Sequence, residues 1–527
     1  MLIPLVCAVL AIVPAPMRLP PTIVVDRDNI QVTESCVLVC ATAIADRDGN
    51  GVVHIVGEGI TVDLGGCTLD SGIDRTHPEL CVGIGITVKA KGVTLTNGAV
   101  RGFKCAIRAE SCDNSVFAKL DLSDNYAALL KSTKEKEDES DWLYPHDNDE
   151  GQQVDAHGAG LSVSLAKNVV IHDVRARRTQ NGIVLRCVDD SKIYDNDCSF
   201  LSGWGLALWR CSRNTICRNS FDFCIRGYSH GVYNRGQDSA GILMFEQCCD
   251  NTVALNSCTH CGDGIFGFAG KEALGEKPRP PATIATQDPL EWYRGRGCCN
   301  NLFALNDLSY AAAHGLEMTF SFGNRILANR FVENGINGVW AGYSRDTTVV
   351  GNDFNGNVSG GFAGEHTQRS LIARNQFSGE KAGVLLWDDS DPALIKLAWT
   401  TANGSACVDN SIVMNTFTKE SVGVGLRETL RTVLSANIFD ACASTVDETE
   451  CVESARVAAV PETTLASLNT ALADLSAKLD TLPGSRAACG ARESLRGRAN
   501  IIMDTYGPRE PVIIAPTPPA PTVKTTP

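Results

Sequence analysis

The chain has 527 residues, of which 44% are hydrophobic and 20% charged, a balance typical of a folded globular protein. Its 48 glycines and its aromatic content of only 6% favour many short strands joined by turns over long helices. The net charge of −14 argues against a nucleic-acid partner, because phosphate contacts need clustered lysine and arginine.

The first predicted element is an apolar run over residues 1–13, followed by Pro14-Ala15-Pro16. The run is too short to span a bilayer and is followed by small residues, which predicts a secretory signal over residues 1–16. The alternative is a buried first strand. We therefore expect a protein that is secreted, or located in the periplasm or cell envelope, without a transmembrane segment. The 22 cysteines fit such an oxidising compartment.

An asparagine then recurs every 22 or 23 residues, interrupted by three insertions. It stands at positions 196, 219, 256, 306, 329, 352, 375, 415 and 437. A glycine fourteen residues earlier, such as Gly315 or Gly338, opens a strand of alternating hydrophobicity. A 23-residue unit with two or three short strands is typical of one coil of a parallel β-helix. We expect the asparagine at a tight corner, because it tolerates a left-handed backbone and hydrogen-bonds its own kind in the next coil.

These repeats predict an all-β protein, a single-stranded right-handed parallel β-helix (a solenoid) of about 13 coils with a C-terminal capping helix. We assign residues 17–445 to the β-helix, 446–508 to a helical cap and short strand, and 509–527 to a disordered Pro- and Thr-rich tail. Leucines from Leu465 to Leu482 alternate in spacings of three and four, which predicts an amphipathic helix that starts near Pro461. That helix is expected to cover the last coil or to pack on its side.

The strand after each glycine should alternate between the interior and one outer wall of the β-helix, which would aim the fifth position, held by Tyr343 and His366, inward and leaves their exposure open. The expected outward positions combine large aromatic side chains with carboxylates, and charged or polar groups follow at the strand ends. These residues are Trp209, Phe268, Glu317, Trp340, Tyr343, Arg345, Glu365, His366, Trp387, Asp388, Asp389 and Arg427. Exposed aromatic rings beside carboxylates are typical of a sugar-binding groove, which insertions at residues 224–240, 269–297 and 390–406 would wall. The alternative is that these insertions merely bury the aromatics.

Glu317 and Glu365 are the preferred acid/base candidates, because two coils separate them and leaning side chains would reach the separation of an inverting glycosidase. Asp388 lies one coil from Glu365, which suits a retaining pair or a pair that shares a proton. His314 and His366 are expected to orient groups or to shuttle protons, although His314 suits a plain turn position equally well.

Metal-binding motifs are weak in the sequence, and no cofactor is predicted. The run Asp388-Asp389-Ser390-Asp391 offers oxygen ligands for Ca²⁺, but a solvated turn is the preferred interpretation. The run from Asp46 to Gly51 resembles the start of an EF-hand loop, yet the twelfth position is Gly57 and strands flank it, so we interpret it as a turn. The cysteines are expected to stack inside the coils or to form scattered disulfides, with zinc as the minor alternative.

The coils resemble the pectate-lyase-like superfamily of right-handed parallel β-helices, and more narrowly the secreted bacterial right-handed parallel β-helix repeat proteins. The closer likeness is carried by His314-Gly315-Leu316-Glu317, Trp340-Ala341-Gly342-Tyr343-Ser344, Glu365-His366-Thr367-Gln368 and Leu386-Trp387-Asp388-Asp389. The narrower group usually has glycine where Thr367 stands. The resemblance implies the fold and secretion, and an activity among polysaccharide lyases, glycoside hydrolases, epimerases and binding proteins. Neither the aspartate triad of polygalacturonases nor the Ca²⁺/arginine constellation of pectate lyases is recognisable.

The function predicted from the sequence is a secreted carbohydrate-active enzyme, a glycoside hydrolase that cleaves a poly- or oligosaccharide in the groove. Trp209, Phe268, Trp340 and Trp387 would hold the sugar rings. A polysaccharide lyase or uronate epimerase is the first alternative, with Tyr343 or His366 as base and Arg345 or Arg427 neutralising a uronate. A non-catalytic, adhesin-type glycan-binding β-helix of the envelope is the second.

Overall fold

The computed structural model describes residues 20–486 and 495–510, apart from residues 147, 149, 150, 278, 285 and 390. The predicted signal over residues 1–16 lies outside the described residues, as does the tail from residue 511 onward. Within them the predicted fold class is confirmed: short strands stack in parallel on the equivalent strands of neighbouring coils and form a right-handed parallel β-helix.

One long wall, here called the site sheet, contains 15 strands in the described residues. Its strands are Ile30–Val32, Val53–Ile55, Ile84–Val88, Cys105–Glu110, Ala159–Lys167, Ile183–Asp189, Trp204–Trp209, Ala240–Phe245, Asp263–Phe268, Leu316–Met318, Asn337–Trp340, Gly360–Glu365, Ala382–Trp387, Val422–Arg427 and Ser444–Thr449.

A second wall, the back sheet, contains 17 strands of the described chain, and a third, the short sheet, contains five. The back sheet comprises Thr22–Val25, Cys36–Cys40, Thr61–Asp63, Thr68–Asp70, Thr94–Arg101, Val116–Asp121, Val170–Arg175, Lys192–Tyr194, Thr215–Cys217, Thr252–Ala254, Leu302–Ala304, Arg325–Leu327, Thr348–Val350, Leu371–Ala373, Ser411–Val413, Val433–Ser435 and Ala455–Val457. The short sheet comprises Arg330–Val332, Asp353–Asn355, Gln376–Ser378, Thr416–Thr418 and Ile438–Asp440.

The β-helix is longer than the repeat predicted. It begins at Thr22 and continues to Val457, so the site sheet has more strands than the 13 coils expected. The predicted boundary at residue 445 is too early, because Ser444–Thr449 and Ala455–Val457 pair in parallel with the preceding coil and extend two sheets. These coils escaped the repeat count because they lack the ladder asparagine.

The ladder asparagines are buried, except for the half-buried Asn437 at the end, and they bond from coil to coil. The Nδ2 of Asn352, for example, donates to the carbonyl of Ile326 at 2.8 Å and to Oδ1 of Asn375 at 2.9 Å. The left-handed backbone was predicted at these asparagines, but it occurs one residue earlier, as at Ala328 and Arg374 with φ of 55° and 54°. The corner therefore turns just before the asparagine, which keeps its amide inside the coil.

The helices lie in the insertions and after the last coil. The α-helices of the insertions are Gln152–His157, Gly270–Leu274, Pro281–Ile284, Pro289–Arg294, Pro392–Ile395 and Ala398–Asn403, and the 3₁₀ turns are Pro78–Leu80, Glu139–Asp141 and Arg498–Asn500. None of the helices in the described part of the chain combines the length and the apolar character needed to cross a lipid bilayer.

The C-terminal helix, Glu462–Leu479, begins directly after Pro461 as predicted, and of the two predicted placements it takes the second, since it packs on the side of the coils. Leu468, Ala471 and Leu475 pack on the outside of the back sheet, against side chains that include Leu302 and Val350. We call residues 458–510, with the gap noted above, the C-terminal strap. Within the predicted segment 446–508, the short strand is found as a small antiparallel hairpin of Met503–Asp504 and Gly507–Pro508, which follows a 3₁₀ turn at Arg498–Asn500.

Candidate functional site

The insertions cover part of the wall that the sequence predicted to be an open groove. Trp292, Tyr293 and Trp399 of two insertions pack with Tyr343 in one apolar cluster. Trp209 is 3% exposed, and its indole N–H donates to the carbonyl of Pro145 at 3.1 Å. For this stretch, the alternative that the insertions bury the aromatics is the correct one.

Three predicted binding residues are therefore corrected: Trp209, Tyr343 and Arg345 are buried. The Arg345 guanidinium donates to the carbonyls of His366 and Gly404 and lies 4.7 Å from the centre of the Trp399 ring. It holds an insertion in place and is not available to a uronate.

Other predicted binding residues remain at the surface. Trp340 and Trp387 are half-buried, and Arg427 is exposed beside Trp387 in the register of the sheet. Phe268 is also half-buried, with its ring 5.2 Å from that of His146. The accessible part of the wall is thus narrower than predicted but still carries two tryptophans.

Glu317 lies in a cluster that the sequence analysis did not assemble, here called the Glu317 cluster: Arg235, Asp238, Asp263, His314, Glu317 and Trp340. Glu317 and Asp263 come from adjacent strands of the site sheet, whereas Arg235 and Asp238 come from the insertion that precedes Ala240–Phe245. The Glu317 side chain is 11% exposed, and its Oε2 lies 4.0 Å from Nε2 of His314. The His314 ring stacks on Trp340 with the ring centres 5.2 Å apart.

Burial raises the pKa values of all three carboxyls in the Glu317 cluster. The pKa of Glu317 lies well above its usual range, through desolvation first and then through the negative charges of Asp263 and Asp238. Desolvation raises the pKa of Asp263 to about 7 and that of Asp238 to about 6, although Arg235 opposes both shifts. Desolvation lowers the pKa of His314 to about 3, so this imidazole is neutral. At neutral pH the cluster therefore combines a protonated Glu317 and a partly protonated Asp263 with an Asp238 that is mostly ionised.

The sequence analysis missed Asp238 and Asp263. Asp263 begins its strand in register with Ala240, and its Oδ1 accepts the backbone N–H of His314 at 2.7 Å. The available signal was an acidic residue at a strand start where the equivalent coils carry uncharged residues such as Trp204, Ala240 and Gly360. Asp238 gave none, because only the folding of its insertion brings it to the wall.

A second group, here called the His366 cluster, contains Tyr343, Glu365, His366, Asp388 and Asp389. The His366 side chain is fully buried. Its Nδ1 lies 3.0 Å from Oδ1 of Asp388 and 2.5 Å from the carbonyl oxygen of Ser405, and its Nε2 lies 3.3 Å from Oδ1 of Asp389. Because a carbonyl oxygen only accepts, Nδ1 carries a proton and Nε2 faces the carboxylate of Asp389.

The charges of the His366 cluster are interdependent. Desolvation, followed by the hydrogen bond and charge of Asp389, raises the pKa of Glu365 to about 7. Burial disfavours the charged imidazole, but hydrogen bonds to Asp388 and to the Ser405 carbonyl outweigh it and raise the pKa of His366. Asp389, rather than Asp388 as predicted, is the carboxylate that contacts Glu365, because Asp388 is engaged with His366.

Glu317 and Glu365 lie on the same sheet, but in separate clusters. Glu317 pairs with Trp340 on the next strand, and Trp340 pairs with Ala363 on the strand after that. Glu365 follows Ala363 by two residues, so the two glutamates are two strands and two positions apart, as expected. Each glutamate interacts with its own carboxylates, and neither is among the groups that shift the pKa of the other. We therefore treat the two clusters as separate sites.

Two groups of the described residues have ligand atoms close enough to hold one metal ion. In the first, the donor atoms of Glu365, His366 and Asp389 lie within 4.8 Å of one another. In the second, formed by Asp28, Asp46 and Asp48, the Asp46 carboxylate already accepts backbone N–H groups of Gly49, Gly51 and Ile84. This bears out the interpretation of the EF-hand-like run as a turn.

Fold and site together define a class: a parallel β-helix whose one wall carries acidic, imidazole and tryptophan side chains beneath helical insertions. A family model described as periplasmic copper-binding protein (NosD) matches residues 48–261 and 296–439, more than half of the chain. The chain belongs to this family. The imidazole and carboxylate donors of the His366 cluster are of the kinds that Cu²⁺ binds.

Several solved structures share the architecture at low similarity. The A-module of mannuronan C-5 epimerase AlgE4 of Azotobacter vinelandii is 15% identical over 76% of this chain and 88% of its own, with a TM-score of 0.34. A GH87 α-1,3-glucanase of Streptomyces thermodiastaticus is 9% identical over 72% and 65%, with a TM-score of 0.39. The surface protein and adhesin PfbA of Streptococcus pneumoniae is 10% identical over 82% and 90%, with a TM-score of 0.34. No curated protein sequence matches the chain. Likeness at this level carries no argument about activity.

Proposed function

We propose that the chain is a carbohydrate-active enzyme, periplasmic or secreted, that hydrolyses a glycosidic bond at the Glu317 cluster. The observation that supports this is the meeting of three carboxyls, Asp238, Asp263 and Glu317, beside a half-buried tryptophan. Pairs of carboxyls whose surroundings separate their pKa values are typical of acid/base catalysis.

The roles follow from burial. Glu317 retains its proton near pH 7 and would donate it to the glycosidic oxygen, whereas Asp238 is half-buried, mostly ionised and would take a proton from water. Trp340 offers a flat ring for a sugar, and the exposed Arg235 offers donors for its hydroxyls. Trp387 lies two coils beyond Trp340 on the same wall and Arg427 three coils beyond it, and both would bind further sugar units.

The test is hydrolysis of a panel of neutral and uronate poly- and oligosaccharides, measured by new reducing ends. We expect Glu317→Gln to lower kcat/KM at least about 100-fold while the chain stays folded, because the proton donor is lost. The control is Glu428→Gln, which alters an exposed glutamate directly after the site-sheet strand Val422–Arg427. It should leave kcat/KM unchanged. Glycan binding without turnover, or turnover unaffected by Glu317→Gln, would contradict the proposal.

A lyase or epimerase acting on a uronate is the second candidate, and one observation favours it. Arg235 stands beside the protonated carboxyls of Glu317 and Asp263, and together these groups would neutralise a sugar carboxylate. Arg345, which the sequence suggested for this role, is buried. A product that absorbs in the near ultraviolet, or an inverted C5 centre without new reducing ends, would select this candidate over hydrolysis.

A further inference from the structure

We infer that Glu365, His366 and Asp389 form a binding site for one divalent first-row transition-metal ion. Each residue offers one ligand atom, and these atoms lie within 4.8 Å of one another, close enough to reach a common ion. Two of the three come from neighbouring coils, since Glu365 is in register with Trp387 and Asp389 follows two residues later. The β-helix stacking itself therefore brings the donors together.

The orientation of the His366 ring is that of a metal ligand. Its Nδ1–H is directed at the Ser405 carbonyl and at Asp388, and its Nε2 lies 3.3 Å from Oδ1 of Asp389, so a cation, either a proton or a metal ion, lies between Nε2 and that carboxylate. Metal-bound histidines typically donate their second ring N–H to a carbonyl or carboxylate in this way. A lone pair pointed at a carboxylate is repulsive unless a cation or a proton lies between them.

Tyr343 provides an independent observation. Its side chain is 2% exposed, it stacks on the His366 ring at 4.5 Å, and its hydroxyl has no hydrogen-bond partner in the described residues. The carboxylates of Glu365 and Asp389 are among the groups that act on this hydroxyl, so it lies beside the same cluster. An unpaired buried hydroxyl is costly, and a ligand or a water bound to the metal would satisfy it.

The donor set indicates the class of ion. One imidazole with two carboxylates suits Zn²⁺, Co²⁺, Ni²⁺ or Cu²⁺, whereas Ca²⁺ and Mg²⁺ prefer oxygen ligands alone. The affinity order among such ions places Cu²⁺ highest. The thiols of the described chain offer a different, soft donor set, as at the half-buried Cys40 and Cys67, where the sulfur atoms are 2.9 Å apart. An experiment must therefore distinguish the two kinds of donor.

Titration of the metal-free full chain with Co²⁺ makes this distinction. We expect one Co²⁺ per chain, with d–d absorption and without the thiolate-to-cobalt charge-transfer band that cysteine ligands produce. Zn²⁺, followed by calorimetry, should bind with the same stoichiometry. Asp389→Ala and Glu365→Gln should each weaken binding at least about 10-fold. The Asp389 side chain is 45% exposed, so its removal leaves the fold intact, whereas His366→Ala empties a buried position.

Asp48→Asn, in the other acidic group, is the matched control and should bind Co²⁺ as the unchanged chain does. Equal affinity in Asp389→Ala and Glu365→Gln, a thiolate charge-transfer band, or failure to bind stoichiometric Co²⁺ and Zn²⁺ would overturn the inference. Glu317→Gln should keep full metal affinity, which separates this site from the proposed catalytic cluster.

Discussion

At each corner of a coil a single buried side chain decides whether the backbone can stack. In two of the corners this residue is mostly asparagine, whose amide both donates and accepts between coils, as Asn329 and Asn352 do. In the third corner the stack runs from Asn334 and Asn357 to Glu380 and Glu420. Two glutamates thus replace asparagine inside the protein, 2% and 1% exposed.

The glutamate pair makes stability depend on pH. Desolvation and the charge of Glu420 raise the pKa of Glu380 to about 9, far above the value of 4.5 expected in an unfolded chain. The folded state therefore holds a proton that the unfolded state releases. Its stabilising effect is complete below about pH 4.5 and is lost as the pH rises towards 9.

We predict that Glu380→Gln is more stable than the unchanged chain at pH 7 and above, and nearly equal to it at pH 4. The glutamine Oε1 still accepts from the amide of Asn357, the backbone N–H of residue 380 still donates to Glu420, and glutamine has no proton to lose. Each pH unit in this window costs the unchanged chain up to about 1.4 kcal/mol, so the difference should grow by roughly 2 kcal/mol between pH 5 and 7. Denaturant unfolding at several pH values measures it, and a difference that does not vary with pH would contradict the assignment.

At the scale of elements, the short sheet is built on a stack of phenylalanines. Phe331, Phe354, Phe377, Phe417 and Phe439 lie one above the other with ring centres 4.8, 4.7, 4.9 and 5.0 Å apart. Phe377 sits in the middle of this stack and is fully buried, whereas Phe439 ends it and is only half-buried. Offset aromatic contacts of this kind add to the free energy of burial.

Phe377→Ala should lower the free energy of unfolding by about 3–5 kcal/mol, because it leaves a cavity between two rings that cannot collapse. Phe439→Ala is the matched change at the end of the stack and should cost markedly less, since Phe439 is only half-buried and stacks on one ring of the described residues, that of Phe417. Chemical denaturation of both variants provides the comparison. Equal losses would show that the rings do not act as a stack.

At the scale of the whole molecule, the C-terminal strap joins coils that are far apart in the sequence. Its helix covers strands of the back sheet from Ala254 to Val413, and the chain then continues to Asp195, whose carboxylate accepts the backbone N–H groups of Ser485 and Arg486. Further along, the carbonyl of Thr505 accepts the N–H of Leu130 at 2.8 Å. A solenoid otherwise holds each coil only through its neighbours.

Removing residues 458–527 should therefore lower the midpoint of thermal unfolding and expose an apolar strip that includes Leu302, Leu327 and Val350. Binding of an apolar dye and self-association of the truncated chain report the exposure of this strip, because exposed apolar patches promote association. Removal of residues 511–527 alone, which retains every described contact of the strap, is the control for chain length. An unchanged midpoint without residues 458–527 would show that the coils need no strap.

The sequence by itself determined the coil, because its 23-residue period, its corner asparagines and its alternating strands are local properties. It also placed Glu365 and His366 one coil from Asp388 and Asp389, since the register of stacked coils follows from that same period, but it paired Glu365 with Asp388 where the structure pairs it with Asp389. Only the tertiary structure decided which side chains stay open to solvent. Insertions have no period, and their packing over Trp209 and Tyr343, like the approach of Asp238 to Glu317, depends on contacts between distant segments that no local pattern encodes.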